Sequence, residues 1–245
     1  IQRRNVCDLV LVFIMKNKEG LWKLSPSGLY GYDECPRCFW IEQHIGGKPG
    51  IPFTLNNAMD SKLKERYDEF RAEGKMPPEV ASLKGLKLFK DIEILNKWRS
   101  SPHALQYVNE NDGYVLSGKI DEVFVNEEGE LMPLDFKSSG DAPKEDKYKY
   151  YIYQLHAYSL MFHGKGQKTA KFGYLVHYFT KDKKDRSLMM EFNSHIDKVE
   201  IDLPVFEKKL KEIVKLLNND LPETEGVLCR WCPWLDKRDE IRNFQ

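Results

Sequence analysis

Apolar residues recur at the three-to-four-residue spacing of an amphipathic helix in several stretches of the chain. In the stretch 202–218, Asp202 is a suitable N-cap, and an early proline and apolar residues at helical spacing follow it. A second helix is expected to end at Gly74, and another to begin at Ser25 and Pro26. The predicted helices cover residues 25–45, 56–73, 83–99, 146–163 and 202–218.

Other stretches are rich in Val, Ile, Phe and Leu and are bounded by turn residues, which is typical of strands. Residues 113–125 and 131–137 are of this kind, and the turn sequence NEEGE separates them. They predict a β-hairpin. Residues 171–180 predict a buried strand, and a polar turn leads to a further strand over 188–193. Helices and strands together indicate an α/β fold with a helical N-terminal part.

The chain of 245 residues is long enough to bury a substantial core. No linker or repeat divides it, so we expect one domain over 25–245. Residues 1–24 are expected to form an N-terminal extension or an edge strand. The apolar run Leu9–Met15 is interpreted as a short edge strand, or as an extension ahead of a natural start at Met15.

Bulk charge adds little, since 38 basic and 38 acidic residues give a net charge of zero. A polyanionic substrate would therefore require a local basic surface. No apolar run approaches the ~20 residues of a membrane helix. We expect no membrane association and a cytoplasmic location, where paired cysteines more often bind a metal than form disulfides.

The predicted hairpin carries two acidic residues at matching positions. If Asn126 pairs with Glu130 across the turn, Asp121 faces Asp135 on the neighbouring strand. Lys137 lies on the same face, because side chains alternate with a period of two. Two opposed carboxylates repel each other unless a cation lies between them.

A hard divalent ion such as Mg²⁺ would remove this repulsion and activate a water for phosphodiester hydrolysis. Lys137 could orient that water or stabilise developing negative charge. An alternative interpretation is a surface hairpin whose acids and lysine form ordinary salt bridges.

Three motifs occur in a characteristic order: GKID with Asp121, PLDFK with Asp135 and Lys137, and YQLHAY with Gln154 and Tyr158. This order resembles the RecB-like branch of the PD-(D/E)xK nuclease superfamily, with its G-x-x-D, D/E-x-K and Q-x-x-x-Y motifs. The resemblance implies a restriction-endonuclease-like core, a mixed central sheet flanked by helices, over about 113–195. It implies a deoxyribonuclease that uses Mg²⁺ or Mn²⁺.

The resemblance also implies a metal-ligating residue on an early helix, commonly in a G-x-x-x-H pattern. The segment NNAMD places Asp60 where the family has histidine. Asp60 is then the third ligand beside Asp121 and Asp135, and Glu65 is the competing candidate. Gln154 and Tyr158, four residues apart, would share one helix face and position the DNA backbone or Lys137.

Two C-x-x-C-x-W units lie near the two ends of the chain, with 190 residues between Cys38 and Cys229. A four-thiolate metal centre would join these ends. RecB-like nucleases with iron–sulfur staples, including CRISPR-associated ones, imply a [4Fe–4S] cluster. Those enzymes place one cysteine before the core and three after it, whereas this chain has two and two, so Zn²⁺ is the alternative. The predicted ligands are Cys35, Cys38, Cys229 and Cys232.

The segment between Lys137 and Gln154 alternates lysines with tyrosines, which suits phosphate neutralisation and base stacking on single-stranded DNA. The predicted nucleic-acid contacts are Lys144, Lys147, Lys149, Tyr148 and Tyr151. We expect an exonuclease that acts on single strands or DNA ends, with helicase, recombination or CRISPR-adaptation proteins as possible partners. The alternatives are a non-catalytic DNA-binding or scaffold module on the same fold, and a metal-stapled interaction protein without a nucleic-acid role.

Overall fold

The protein is described from a computed structural model. It describes residues 16–46, 54–101, 104–181, 190–223, 226, 229, 231–234 and 236–237. The strands are β1 (Trp22–Leu24), β2 (Lys87–Leu88), β3 (Gln106–Asn109), β4 (Tyr114–Ser117), β5 (Glu122–Val125), β6 (Leu131–Ser139), β7 (Phe172–Thr180) and β8 (Phe192–Glu200). The α-helices are α1 (Tyr30–Glu34), α2 (Pro36–Ile45), α3 (Thr54–Ala72), α4 (Ile92–Ser100), α5 (Ile152–Gly164) and α6 (Leu203–Leu217). Three short 3₁₀ helices cover Pro26–Gly28, Pro78–Val80 and Lys147–Tyr151.

The central sheet has five strands in the order β2-β5-β6-β7-β8. β5 and β6 form an antiparallel hairpin whose turn contains Gly129 at a positive φ of 75°. β6 and β7 are parallel, and α5 provides the crossover that a parallel pair requires. β7 pairs antiparallel with β8. A mixed sheet flanked by helices is therefore present, as the sequence predicted.

A smaller sheet of three strands has the order β1-β4-β3, with β1 at its edge. β1 pairs parallel with β4, and β3 pairs antiparallel with β4. α5 contacts β3 and β4 of this sheet as well as β6 of the central sheet, and so connects the two sheets. Trp22–Leu24 is thus an edge strand, whereas the expectations for residues 1–15 lie outside the described residues.

α5 is buried over the whole stretch from Gln154 to Phe162, as expected for a helix that is apolar all round. It packs with α6, whose buried face includes Phe206, Leu210 and Ile213. α3 covers the opposite face of the central sheet, where Leu63 and Tyr67 pack against side chains from β5, β6 and β7. The hairpin that carries the predicted acids is therefore held between α3 and α5.

The helices predicted over 56–73 and 202–218 are confirmed as α3 and α6, and the strand over 171–180 as β7. The helix predicted over 83–99 was wrong at its start, because Lys87–Leu88 is a strand and α4 begins only at Ile92. The helical spacing of apolar residues extends over Lys87–Leu88, but these residues pair with β5, more than 30 residues later in the chain, and so form a strand.

Three other predictions need correction. The strand predicted over 113–125 is two strands, β4 and β5, in different sheets, because strand structure is interrupted over residues 118–121. The strand predicted over 188–193 runs instead from Phe192 to Glu200, where it pairs with the whole of β7. The segment predicted as one helix over 25–45 is a 3₁₀ turn followed by α1 and α2.

In the described residues, no helix is long and apolar enough to cross a membrane.

Candidate active site and cysteine centre

Asp121 and Asp135 lie side by side on the β5–β6 hairpin. The ladder pairs Glu122 with Leu134, so the next opposed positions are Asp121 and Asp135, as the turn predicted. One Asp121 carboxylate oxygen accepts the backbone N–H of Phe136 at 2.9 Å, which fixes the acid against β6. Asp135 is only 2 % exposed.

Lys137 links the acids to helix α5. Its ammonium forms an ion pair with the Asp135 carboxylate and donates to Gln154 Oε1 at 2.7 Å. The same Nζ lies 4.3 Å from the centroid of the Tyr151 ring, a cation–π distance. Three neighbours, from β6, α5 and the 3₁₀ turn before α5, therefore hold the lysine in one place.

Gln154 and Tyr158 project from α5 toward the hairpin, as four-residue spacing on a helix predicts. The Tyr158 hydroxyl donates to the backbone carbonyl of Lys119 at 2.7 Å. A Cβ on Gly118 would lie 2.8 Å from Pro26 Cγ and 3.3 Å from the Tyr158 ring. Glycine is therefore needed here so that this loop can approach both the N-terminal turn and α5.

The N-terminal half of α3 contributes Asp60 and Lys64. Lys64 Nζ lies 2.7 Å from Asp60 Oδ2 and 2.9 Å from Asp121 Oδ1, so one lysine bridges two acids from different elements. Glu65, the competing candidate, pairs instead with Lys62 at 2.5 Å on an exposed side of the helix. The structure thus brings Asp60, and not Glu65, to the hairpin acids.

Burial, together with a neighbouring carboxylate, raises the pKa of two of these acids. Burial raises the pKa of Asp135 to about 7, with a further rise from the Asp121 carboxylate, although the Lys137 ammonium opposes the shift. Burial and the Asp121 carboxylate also raise the pKa of Asp60, against the effect of Lys64. Each shift reflects a concentration of negative charge in a poorly solvated place. Such a set of carboxylate oxygens fits a hard divalent cation, which would relieve the repulsion.

Three connected cavities surround Lys137. A cavity of about 450 Å³ is lined by Asp121, Asp135, Gln154 and Tyr158, and it contains the site described above. A second, of about 310 Å³, is lined by Asp60 and other residues of α3. The third is a cleft of about 750 Å³ toward the segment that precedes α5. Lys137 lines all three.

The four cysteines of the two C-x-x-C units meet at one point. Cys38 Sγ lies 3.4 Å from Cys229 Sγ and 3.5 Å from Cys232 Sγ, and Cys35 Sγ lies 3.7 Å from Cys232 Sγ. All four sulfur atoms fall within 4.8 Å of one another. These are free thiols, since a disulfide requires sulfur atoms about 2 Å apart. The donor set fits a metal bound by four thiolates.

Backbone amides support negative charge on these sulfur atoms. The Cys35 sulfur accepts the N–H of Cys38 at 3.4 Å and that of Gly226 at 3.3 Å. Burial raises the pKa of Cys229, but N–H groups of Cys232 and Trp231 outweigh it, and the pKa falls to about 7. Burial raises the pKa of Cys232 to about 12. A metal ion would remove the cost of holding such thiolates together.

Comparison with known families decides the family of this chain. The sequence model of the PD-(D/E)XK nuclease superfamily matches residues 23–236. The chain belongs to this superfamily. Membership shows, at this coarse level, a nuclease that depends on a divalent metal and has DNA as its substrate.

Individual relatives add little to this assignment. Among solved structures, "Crystal structure of SSO0001" is similar at 16 % sequence identity, and the match covers 84 % of this chain and 80 % of that one. Its TM-score is 0.42. No curated protein matches the chain.

Within this nuclease domain, the structure gathers most of the predicted site residues and separates others. Lys144 and Tyr151 line the 750 Å³ cleft beside Lys137. Tyr148 is half-buried and packs against the core group around Leu155, and Lys149 pairs with Asp146 at 2.6 Å. The side chain of Lys147 lies outside the described part of the chain.

Sequence reasoning missed several residues at this site. Lys64 carried a weak signal, because it lies four residues after Asp60 on a predicted helix. Arg99 donates to the Asp121 backbone carbonyl at 2.8 Å from α4. Tyr30 lines the cleft together with Tyr150, which belongs to the lysine- and tyrosine-rich segment much later in the chain. No local pattern could have identified Arg99 or Tyr30.

Proposed function

We propose that this protein is a divalent-metal-dependent exonuclease that degrades single-stranded DNA or DNA ends. One observation carries the proposal: Asp121, Asp135, Lys137 and Gln154 converge on one cavity that opens toward an aromatic and basic cleft. A surface hairpin with ordinary salt bridges would not require a 2 % exposed aspartate.

The roles follow from the contacts. Asp121, Asp135 and Asp60 would hold the divalent ion, Mg²⁺ or Mn²⁺ by the preference of carboxylate ligands. Such an ion, when bound, lowers the pKa of a coordinated water and stabilises charge on a phosphoryl group. Lys137 is held by Asp135 and Gln154 so that its ammonium faces the cavity. There it would orient the attacking water and stabilise the negative charge that develops on the phosphate.

Tyr158 would act on the reaction indirectly, through the backbone that it holds in place. Its hydroxyl holds the Lys119 carbonyl, and so fixes the loop from Gly118 to Asp121. Gln154 restrains Lys137 in the same way. Both are positioning residues in this proposal, and they would keep the acid and the lysine aligned with the phosphate.

The preference for single strands rests on the cleft. Lys144 and the tyrosines that line it can contact phosphates and unpaired bases. A cytoplasmic location and association with helicase, recombination or CRISPR-adaptation proteins stay predictions from the sequence.

For the cysteine centre, the sequence favoured a [4Fe–4S] cluster with Zn²⁺ as the alternative, and we propose the alternative. Four thiolates around one tetrahedral ion with Zn–S bonds of about 2.3 Å lie about 3.8 Å apart. Three of the six separations are 3.4–3.7 Å, close to this value, and all four sulfur atoms lie within 4.8 Å of one another. A four-iron cluster spaces its thiolates farther apart, because each binds a different iron atom.

Metal analysis of protein purified without oxygen tests this assignment. One zinc per chain, no absorbance near 400 nm and thiolate charge-transfer bands after Co²⁺ substitution are expected. About four irons and four sulfides per chain would reverse it in favour of the cluster.

The nuclease proposal is tested by cleavage of end-labelled single- and double-stranded DNA, and of circular single strands, with Mg²⁺, Mn²⁺ or EDTA. Asp135→Asn keeps the shape of the side chain and should lower the rate at least 100-fold. Asp220→Asn, an exposed change beyond the C-terminal end of α6 and away from the cleft, serves as a matched control and should retain activity. Resistance of the circular substrate would identify an exonuclease.

The second candidate is the non-catalytic DNA-binding module. The Lys137–Asp135 pair speaks against it, since a module without catalysis has no chemical need for a buried acid paired with a lysine. Tight DNA binding without cleavage of any substrate by correctly metallated protein would favour it.

A further inference from the structure

We propose that the 750 Å³ cleft beside Lys137 binds an unpaired nucleobase of the strand being cut, next to the scissile phosphate. We call it the tyrosine cleft; Ser27, Tyr30, Lys137, Lys144, Tyr150 and Tyr151 are among the residues that line it. This inference rests on the proposed nuclease function and specifies how that site recognises its substrate.

Two tyrosines from distant parts of the chain provide the stacking surface. Tyr30 begins α1, and Tyr150 belongs to the 3₁₀ turn that precedes α5. Their ring centroids are 4.6 Å apart and the rings are tilted by 60°, so the two rings are in contact but are not stacked face to face. Tyr150 is 52 % exposed, although a tyrosine ring gains from burial. Stacking of a planar base on these rings would bury the exposed surface.

Tyr151 has a different role in the cleft. The Lys137 ammonium lies 4.3 Å from its ring centroid, and the His177 ring packs 6.4 Å from it. Its ring therefore supports the lysine rather than a base. Of the tyrosines in this segment, Tyr150 is consequently the one placed to stack, together with Tyr30.

The cleft is continuous with the catalytic cavity. Lys137 and Gln154 line both the cleft and the cavity that contains Asp121 and Asp135. A base in the cleft is thus joined through its own sugar to a phosphate near the acids. The cleft would therefore hold a base next to the scissile bond rather than a base farther along the strand.

Charge in the cleft fits the sugar–phosphate backbone that accompanies the base. Lys144 is exposed at the cleft, and Lys137 lies at its inner end. Asp141 and Asp146 also line it, but Asp146 is paired with Lys149 at 2.6 Å, which lessens its repulsion of a phosphate. An unpaired base is required, because both faces of a base in a duplex are already stacked.

The test uses end-labelled oligothymidylate in which a single abasic site is moved stepwise along the strand. Full-length protein with Mn²⁺ should pause at one position relative to the abasic site. Stacking on an aromatic side chain is worth about 1–3 kcal/mol per base, so loss of the base or of a ring should lower kcat/KM about 5- to 150-fold. Tyr150→Ala should lose this factor on normal DNA, whereas Tyr150→Phe should keep full activity.

The decisive experiment measures the effect of the abasic site in each tyrosine variant and in the wild type. In Tyr150→Ala and Tyr30→Ala, the abasic site should cause almost no further loss, because the partner of the base is already missing. Phe192→Ala, an exposed aromatic change on β8, is the matched control and should respond to the abasic site as the wild type does. Equal abasic sensitivity in wild type, Tyr30→Ala and Tyr150→Ala would overturn the inference.

A binding experiment separates this inference from the nuclease proposal. Single strands that contain 2-aminopurine, mixed with protein in Ca²⁺, should show fluorescence quenching that Tyr150→Ala abolishes and Tyr150→Phe preserves. If quenching follows this pattern but no metal supports cleavage, the base-binding site is supported and the nuclease proposal is refuted. If cleavage depends on Asp135 but quenching is the same in the Tyr30 and Tyr150 variants as in the wild type, only the base-binding site is refuted.

Discussion

Each acid at this site is paired with a lysine from the chain itself. Lys137 neutralises Asp135, and Lys64 lies between Asp60 and Asp121. Burial lowers the pKa of Lys64, but the carboxylates of Asp121 and Asp60 outweigh it and the pKa is raised. Lys64 thus occupies the place between two acids where repulsion is otherwise unrelieved. A divalent ion that binds Asp60 and Asp121 has to compete with this ammonium.

Lys64→Met should therefore strengthen divalent-metal binding while it destabilises the metal-free protein. Without the ammonium, Asp60 and Asp121 repel each other until a cation arrives. We expect Mn²⁺ to bind about tenfold more tightly, equivalent to ~1.4 kcal/mol, as measured by calorimetric titration of the Asp135-intact protein. Lys62→Met is the matched control, since Lys62 lies on the same helix but pairs with exposed Glu65. Unchanged or weaker Mn²⁺ affinity would contradict the competition.

His156, on α5, makes the stability depend on pH. Its Nε2 accepts the backbone N–H of Asp202 at 3.2 Å, and its Nδ1 lies 2.9 Å from the Ile152 carbonyl, which suits the neutral ring. Burial lowers its pKa below the ordinary value of about 6.5. The unfolded chain then binds the proton first, so stability is lost as pH falls through 6.5 toward the lower folded pKa.

His156→Gln, which keeps an acceptor but does not titrate, should reduce this loss. Between pH 7 and pH 5, the slope of unfolding free energy against pH should be smaller by up to one proton, about 1.4 kcal/mol per pH unit. Urea titrations at several pH values measure it. An identical slope in both proteins would show that His156 is not the responsible group.

At the scale of elements, a buried charge network joins α3, α4 and β5. Glu122 at the start of β5 is fully buried. Arg71 of α3 and Arg99 of α4 pair with its carboxylate at 2.5 and 2.9 Å, and both contact Asp68. Burial raises the pKa of Glu122, and the two arginines oppose that rise. Because Arg99 also donates to the Asp121 carbonyl, the network fixes the position of a proposed metal-binding acid.

Arg99→Met should therefore reduce both stability and activity. Removal of one partner from a buried ion pair typically costs 3–5 kcal/mol, since the remaining charge is left uncompensated. Chemical denaturation measures this loss. At a temperature where the variant is still folded, kcat should also fall, because Asp121 loses its backbone restraint. Lys97→Met, an exposed change on the same helix, should affect neither property.

At the scale of the whole molecule, the cysteine centre closes the chain on itself. It joins Cys35 and Cys38 at the start of α2 to two cysteines in the C-terminal segment, and α2 also contacts α6 through Trp40, whose Nε1 donates to the Asn219 carbonyl at 2.9 Å. The nuclease motifs all lie inside this closed loop. Cross-links across long loops restrict the unfolded chain, which is where their stabilisation arises.

Removal of the centre should lower stability without abolishing the fold of the central sheet. For Cys232→Ser we expect a loss of about 3 kcal/mol, or roughly 6–12 °C in Tm. Differential scanning calorimetry, with metal content measured on the same samples, checks it. Cys7→Ser is the control, since Cys7 belongs to neither C-x-x-C unit and should leave metal content and Tm unchanged. A Tm equal to that of the wild type in metal-free Cys232→Ser would refute a structural role.

The sequence alone determined the features that depend on local periodicity and turn geometry. The NEEGE turn set the register that places Asp121 opposite Asp135, and helical spacing placed Gln154 and Tyr158 on one face. The two C-x-x-C units predicted a shared metal centre, because four cysteines in two such units are typical of metal ligands. In each case the information lies within a few neighbouring residues.

Only the tertiary structure decided which distant side chains meet. It selected Asp60 over Glu65, inserted Lys64 between two acids and brought Tyr30 to Tyr150. It also divided the stretch 113–125 between two sheets by a loop over 118–121, in which Pro26 approaches Gly118 too closely for a side chain. These contacts depend on how α3 and α5 pack on the sheet, and packing is set by shape complementarity across the whole core rather than by neighbours along the chain.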